Sequence, residues 1–134
     1  MRQAFWWILC LIGCLVGYVQ SGAAGDAMDM SKLQGRWVLE SINGQPVSSG
    51  AEIFFEIDGM TITGFDGCNK FGGSLDAPDR MRMTQRECVS DSPRLPLELS
   101  DPRSQLDAAK LTGEKLTLPL PGSTGEAGFS RQKP

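Results

Sequence analysis

Apolar and polar residues alternate over short stretches of this chain, which is the pattern of half-buried strands. Ile53, Phe55 and Ile57 fall on one face of a predicted strand, because successive side chains of a strand point to opposite faces. The Asp-Gly pair at 58–59 is predicted to form a two-residue turn, and 60–65 then returns as the second strand. The pattern therefore predicts a local β-hairpin.

Further strands are predicted on both sides of this hairpin. Residues 37–42 are rich in strand-forming side chains, and the Asn-Gly pair at 43–44 is a strong turn signal. The Gln-Pro pair at 45–46 is expected to prevent direct continuation into another strand, because proline lacks the amide hydrogen that a ladder needs. Other short strands are predicted at 81–84, at 115–120 with its end near Pro119, and at 128–131 as the closing strand.

A proline-containing segment precedes the one predicted helix. Leucines alternate over 92–101, but the prolines of this segment oppose both a central strand and a long helix. Residues 103–110 are predicted to form a short helix, with Ser100 or Asp101 as N-cap and Pro102 at its first position. Together these elements predict a mostly β (α+β) fold, a small curved antiparallel sheet or partly open barrel with one short helix.

The first 24 residues have the pattern of an export signal. Arg2 precedes an apolar run at 4–19, which ends in small residues near a cleavage site at Ala24. This run is shorter than the roughly 20 residues that a membrane-spanning helix needs. Cleavage would leave a polar linker at 25–31 and a single domain at 32–132.

Three fates of this N-terminal segment stay open. Signal peptidase could cut near Ala24, or Cys14 could be lipidated, because residues 11–14 resemble a bacterial lipobox. The third alternative is an uncleaved anchor. All three predict an exported protein, which is either periplasmic or associated with the outer membrane.

Cys68 and Cys88 are the two cysteines outside the apolar N-terminal run. Disulfides persist in the oxidising compartment that export implies, and two cysteines allow a single pairing. The bridge would close a loop of about 20 residues and stabilise the fold by roughly 3 kcal/mol in the chain-entropy model. A zinc or redox site is the alternative, but the spacing is not Cys-x-x-Cys and the chain has no histidine.

Composition excludes several classes of function. The absence of histidine rules out Ser-His-Asp and Cys-His catalysis and removes the commonest metal ligand. With 13 basic and 16 acidic residues, the chain lacks the clustered positive charge of a nucleic-acid-binding protein. We therefore expect a protein that is not an enzyme, needs no cofactor or metal and binds no nucleic acid.

The glycine-rich stretch 64–73 surrounds Cys68 with four glycines and two aromatic residues. Glycine suits backbone conformations and close approaches that other residues resist. In a structural interpretation, the two aromatic rings pack beneath a loop in which Asn69 tolerates a left-handed conformation. In a functional interpretation, Asp66, Asn69 and Lys70 form an exposed recognition loop. The candidate residues of this motif are Gly64, Phe65, Asp66, Gly67, Asn69, Lys70, Phe71 and Gly73.

These residues resemble the META/HslJ domain family. The resemblance rests on Leu33-x-Gly35-x-Trp37-x-Leu39, Gly64-Phe65, Gly67-Cys68-Asn69-x-Phe71-x-Gly73 and Thr84-x-x-x-Cys88. It implies a compact, mostly β domain with a helix packed against a curved sheet, and residence in the cell envelope, often as a lipoprotein. It also implies an association with stress and antibiotic tolerance rather than a known reaction. The chain departs from the family at the proline-rich segment, where the family tends to place an amphipathic helix.

These observations favour a non-enzymatic envelope protein that binds another envelope component and contributes to stress or antibiotic tolerance. One alternative is a small module that holds an apolar ligand within the curved sheet, beside Phe54 or Ile62. The other is a secreted inhibitor that inserts the disulfide-held loop into an enzyme cleft. The expected partner is an unknown envelope protein or an apolar ligand. Membrane contact is expected only through a lipid anchor at Cys14, and the protein is expected to be a monomer.

Overall fold

The computed structural model describes residues 26–48 and 50–134. The predicted export signal at 1–24 and the predicted lipidation site at Cys14 lie outside the described residues. No helix in the described ranges is long and apolar enough to cross a membrane.

Nine antiparallel strands form a single sheet in the described part of the chain. Its spatial order is β6-β5-β4-β3-β1-β9-β8-β7, and β2 pairs with β1 off this path. The end strands do not pair with each other, so the sheet is open rather than a closed barrel. The mostly β prediction with one short helix is confirmed. The strands are β1 Gly35–Ile42, β2 Gln45–Pro46, β3 Phe54–Asp58, β4 Thr61–Phe65, β5 Lys70–Ser74, β6 Ala77–Met83, β7 Lys110–Thr112, β8 Lys115–Pro119 and β9 Glu126–Gln132.

One face of this sheet carries the hydrophobic core. Trp37, Phe55 and Phe129 are its largest fully buried side chains. The rings of Phe55 and Phe129 meet edge to face, with their centroids 5.2 Å apart. Trp37 buries its ring and still satisfies its polar atom, because Nε1 donates to the carbonyl of Leu33 at 2.9 Å. The three alternating residues of the predicted hairpin strand, including Ile53 and Ile57, are buried as expected.

The turn after β1 differs from the sequence prediction. Asn43 and Gly44 do form a turn, with φ values of 51° and 75°. Those positive angles suit the tight hairpin turns whose twist matches that of the flanking strands. The chain then continues directly into β2, so the prediction that Gln45 and Pro46 prevent a strand is wrong. Proline is tolerated because this exposed two-residue strand lies at an edge, where the missing amide hydrogen breaks no central ladder.

The β3–β4 hairpin is confirmed, but its turn lies one residue later than predicted. Asp58 pairs with Thr61, so the two turn residues are Gly59 and Met60. Gly59 takes a φ of 60°. The side chain of Gln34 holds this turn, because it accepts from the Gly59 amide at 2.7 Å and donates to its carbonyl.

The single α-helix of the described residues, α1, spans Pro102–Asp107. Asp101 is its N-cap and accepts from the amide of Ser104 at 3.2 Å, as predicted. The helix is shorter than predicted, because the chain enters β7 at Lys110. Leu106 anchors the helix in the core with no exposed surface.

The proline-rich segment before α1 is irregular, and a buried side chain satisfies part of its backbone. Gln105 accepts from the amide of Glu98 at 2.8 Å. Its Nε2 donates to the carbonyls of Pro96 and Pro119, each at 2.7 Å. These bonds satisfy backbone groups that have no strand partner in the irregular segment, and they hold the segment against β8.

The folded part begins earlier than the predicted boundary at residue 32. A 3₁₀ turn spans Met30–Leu33, and Asp29 caps it by accepting from the amide of Ser31. Met30 is buried in the core. The last residues of the predicted linker therefore belong to the domain, because an apolar side chain there completes the core beneath β1.

Candidate functional site

The glycine-rich stretch is mostly strand. Gly64 and Phe65 end β4, Lys70 begins β5, and residues 66–69 form the connection between them. We call residues 66–69 the stapled loop. The strand β5 was not predicted, because its two glycines, Gly72 and Gly73, resemble loop residues in a sequence.

Two glycines of the motif are required by close packing. A Cβ at Gly64 would lie 2.5 Å from the ring of Phe71, which crosses directly over this position in the core. Gly67 has a φ of 102°, and a Cβ there would lie 2.4 Å from the carbonyl oxygen of Pro93. Gly64 thus leaves room for the Phe71 ring, and Gly67 lets the proline-rich segment pack against the loop.

Asp66 organises the backbone of the stapled loop. Its carboxylate accepts from the amide of Cys68 at 2.8 Å and from the amide of Asn69 at 2.6 Å. Arg94 lies 3.7 Å from the same carboxyl group, and the amide of Leu95 donates to the Asp66 carbonyl at 2.9 Å. Asp66 therefore connects the loop to the proline-rich segment.

Asn69 is buried, with 8% of its surface exposed, and its side chain binds within the protein. Its Oδ1 accepts from the amide of Arg86 at 2.8 Å and from the hydroxyl of Thr84 at 3.2 Å. The predicted exposed role of Asn69 in a recognition loop is therefore wrong. Asn69 also lacks the left-handed backbone suggested for it. Among the described non-glycine residues, positive φ occurs at Asn43 and not at Asn69.

Lys70 is exposed and lies at the first position of β5. Its backbone pairs with Thr84, whose amide donates to the Lys70 carbonyl at 2.9 Å and whose hydroxyl accepts from the Lys70 amide at 3.0 Å. Its side chain has no acidic partner within ion-pair distance in the described part of the chain. Of the three predicted recognition residues, Lys70 is thus the one whose functional group stays available.

The structure pairs Cys68 with Cys88, as predicted. Their Cα atoms are 5.8 Å apart, a separation that suits a disulfide. Cys88 follows the Thr84 and Arg86 contacts to Asn69. The disulfide and the asparagine amide therefore fasten the chain after β6 to the stapled loop. Of the two residues that bind the Asn69 side chain, the sequence motif indicated Thr84. Arg86 was missed, because it binds through its backbone amide and its residue type carries no signal.

An exposed apolar side chain, Val89, lies beside the disulfide. Met83 and Val89 are the exposed large hydrophobic residues of the described chain, at 44% and 73% exposure. Val89 lines an open depression of about 660 Å³ together with Phe65, Arg86 and Cys88. This surface, which we call the disulfide surface, combines apolar contact area with the opposite charges of Arg86 and Glu87.

Among the described residues, hydrogen bonds lower the pKa of three exposed carboxyl groups, all of them outside the stapled loop. Ser31 lowers the pKa of Asp29, the Lys115 ammonium lowers that of Glu40, and Ser100 lowers that of Glu98. No group of three or more potential metal ligands occurs among the described residues.

The interior position considered for an apolar ligand is filled. Ile62 is fully buried within the packed core. Phe54 lies on the opposite face of the sheet, because its neighbour Phe55 points into the core. Phe54 lines an open groove of about 450 Å³ on that outer face. A ligand beside Phe54 would therefore bind on the outside of the sheet.

These features define a class of protein: a small, mostly β domain with an open sheet, whose glycine-cysteine-asparagine loop is joined by a disulfide to the chain after β6. The family model of the META domain matches residues 31–132. The chain belongs to the META domain family, as its motif indicated.

A solved structure supports the fold. The chain is similar to a protein whose structure was determined by NMR, with a TM-score of 0.53 and 23% sequence identity. The similarity covers 78% of this chain and 96% of that protein. At this identity the likeness shows the fold alone. No match was found among curated proteins.

Proposed function

We propose that this META-domain protein is a non-enzymatic, exported protein that binds another component of the cell envelope and thereby contributes to stress or antibiotic tolerance. The disulfide surface carries the proposal. Its exposed hydrophobic residue, Val89, and the half-buried Phe65 lie beside the disulfide-bonded loop. Exposed apolar area of this kind is typical of binding sites, and a rigid loop loses little conformational entropy when it binds.

The periplasm or the outer membrane is the proposed location. The sequence pattern of the N-terminal segment supports export, and the disulfide supports an oxidising compartment. Lipidation at Cys14 would hold the domain at a membrane, whereas cleavage near Ala24 would release it. Both alternatives leave the disulfide surface free to meet an envelope protein.

The test is complementation of a strain that lacks the gene. Wild-type protein should restore growth under envelope stress or antibiotic treatment, and Val89→Asp should fail, because a charge at the centre of an apolar contact opposes binding. Thr112→Asp, on the exposed strand β7, is the matched control and should complement fully.

Two results would contradict this proposal. If the deleted strain tolerates every envelope stress as well as its parent, the tolerance role is wrong. If Val89→Asp accumulates at wild-type levels and complements fully, binding does not use the disulfide surface.

The groove beside Phe54 favours a second candidate function, the binding of a small apolar ligand. Its lining includes three phenylalanines, and its volume of about 450 Å³ lies within the range of small-molecule sites. The secreted-inhibitor alternative has less support, because the Asn69 side chain is buried and bonded to Thr84 and Arg86, so it is not presented to an enzyme cleft.

A further inference from the structure

The outer face of the sheet, opposite the core, carries a row of apolar side chains that ends at a positive charge. Val38 pairs with Phe54, Phe54 with Phe65, and Phe65 with Lys70. Residues that pair in this way lie directly opposite each other, so these four form one row across strands β1, β3, β4 and β5. Three strand spacings give the row a length of roughly 14 Å.

This row is unusual for a face that does not cover the core. Exposed faces of antiparallel sheets are normally polar, yet Phe54 and Phe65 stand side by side here and are only half-buried. The next row pairs Thr63 with Gly72, so small residues flank the aromatic rings. The result is the open groove of about 450 Å³ already described, whose lining includes Phe54, Thr63, Phe65 and Lys70.

The aromatic rings of the groove accept flat groups. The guanidinium of Arg36 lies 3.4 Å from the centre of the Phe54 ring, and Glu52 holds it there through a contact of 2.6 Å. Phe65 has no comparable stacked partner in the described ranges. A planar ring placed against Phe65 would gain the stacking that the Arg36 guanidinium already gains on Phe54.

The positive charges at the end of the apolar row favour a ligand with a negative charge. Lys70 ends the apolar row, and Arg82 ends the neighbouring row opposite Gly72. Both side chains are exposed, and neither has an ion-pair partner among the described residues. Glu56, the acidic residue of the second row, lies on β3, two strands away from Lys70. Two unpaired cations beside two aromatic rings are complementary to a ring that carries an acidic group.

We propose that this outer groove binds a flat aromatic anion, with the ring system stacked on Phe65 beside the Arg36-covered ring of Phe54, and the anionic group at Lys70 and Arg82. The inference rests on the second candidate function, a small-ligand module. A flexible acyl chain fits the groove less well, because it cannot stack on the rings. A neutral aromatic compound leaves both cations without a partner.

The test is a titration of the folded, oxidised protein with 2-naphthoate, followed by NMR shifts of its backbone amides. We expect saturable shifts centred on Thr63, Phe65 and Lys70. The matched neutral compound 2-naphthalenemethanol and the acyl anion decanoate should both bind more weakly. Tighter binding by either compound would overturn the proposed ligand class, and an absence of saturable shifts at these residues would overturn the site.

Variants separate the two parts of the proposed recognition. Lys70→Gln combined with Arg82→Gln should weaken 2-naphthoate binding by about fivefold, since each exposed ion pair contributes little. Phe65→Leu keeps an apolar side chain but removes the flat ring, and it should also weaken binding. Lys110→Gln, on the far edge strand β7, removes an exposed charge elsewhere and should leave binding unchanged. Equal affinity of all variants would overturn the proposal.

The groove and the disulfide surface can fail separately. If the protein does not bind 2-naphthoate but Val89→Asp still fails to complement, the groove proposal is wrong and the disulfide-surface proposal stands. Naphthoate binding at the groove with full complementation by Val89→Asp would retain this inference and remove the disulfide-surface proposal.

Discussion

At the scale of single residues, most side chains of the META motif hold the stapled loop against neighbouring segments. Asp66 ties the loop to itself and to the proline-rich segment, and Asn69 ties it to the chain after β6. Gly67 is needed for an approach that any side chain would block. Lys70 differs, because its side chain remains in solvent beside the outer groove. The motif therefore positions a surface, and most of its own polar groups are used inside the fold.

Asn69→Ala should lower the free energy of unfolding by roughly 1 to 3 kcal/mol, because it leaves the Arg86 amide without its acceptor in a partly buried site. The measurement is urea denaturation of the oxidised protein. Lys70→Ala is the control, and its exposed side chain predicts a change within about 0.5 kcal/mol. Equal stability of Asn69→Ala and the control would show that the hydrogen bonds of the buried amide do not stabilise the fold.

At the scale of elements, several parts were predictable because local patterns determined them. The β3–β4 hairpin follows from alternation and a turn signal, and the N-cap of α1 follows from an aspartate placed before a proline. Strand β5 was missed because a glycine-rich sequence carries no alternation, and its pairing is set by neighbours on both sides. The conformation of the proline-rich segment was also unpredictable, because it depends on side-chain bonds from Gln105 that no apolar alternation or turn signal indicates.

Gln105→Leu should destabilise the fold by at least about 2 kcal/mol, because it keeps the size of the side chain but leaves the Glu98 amide and two carbonyls without partners. Gln45→Leu applies the same change to an exposed residue of β2 and should have little effect. Thermal unfolding of the two variants compares them directly. A similar melting temperature for both would mean that water replaces the lost bonds.

At the scale of the whole molecule, a single core on one face supports both surfaces proposed to bind. The disulfide adds a covalent connection between the stapled loop and an irregular segment that has no ladder bonds of its own. The proposed binding groups, including Val89 and Phe65, lie around this connection. The sequence could indicate the disulfide and the family, but not the outer groove, which exists only because four strands align in one register.

Reduction of the disulfide should lower the free energy of unfolding by about 3 kcal/mol, the chain-entropy value for a loop of this length. Urea denaturation with and without dithiothreitol measures this difference. The double variant Cys68→Ser and Cys88→Ser should match the reduced protein and ignore the reductant. A double variant as stable as the oxidised wild type would refute this role of the disulfide.

The position of β9 has a consequence for how the molecule folds in time. This strand pairs with β1 on one side and with β8 on the other, so Gln132 lies opposite Arg36. Pairings between such distant parts of a chain form slowly, because a long loop must close first. The sheet therefore cannot be completed until β9 has been synthesised, because β9 is the strand that joins β1 to β8. Under the export proposed above, this delay would keep β1 and β8 apart while the chain is still being threaded through a translocation pore.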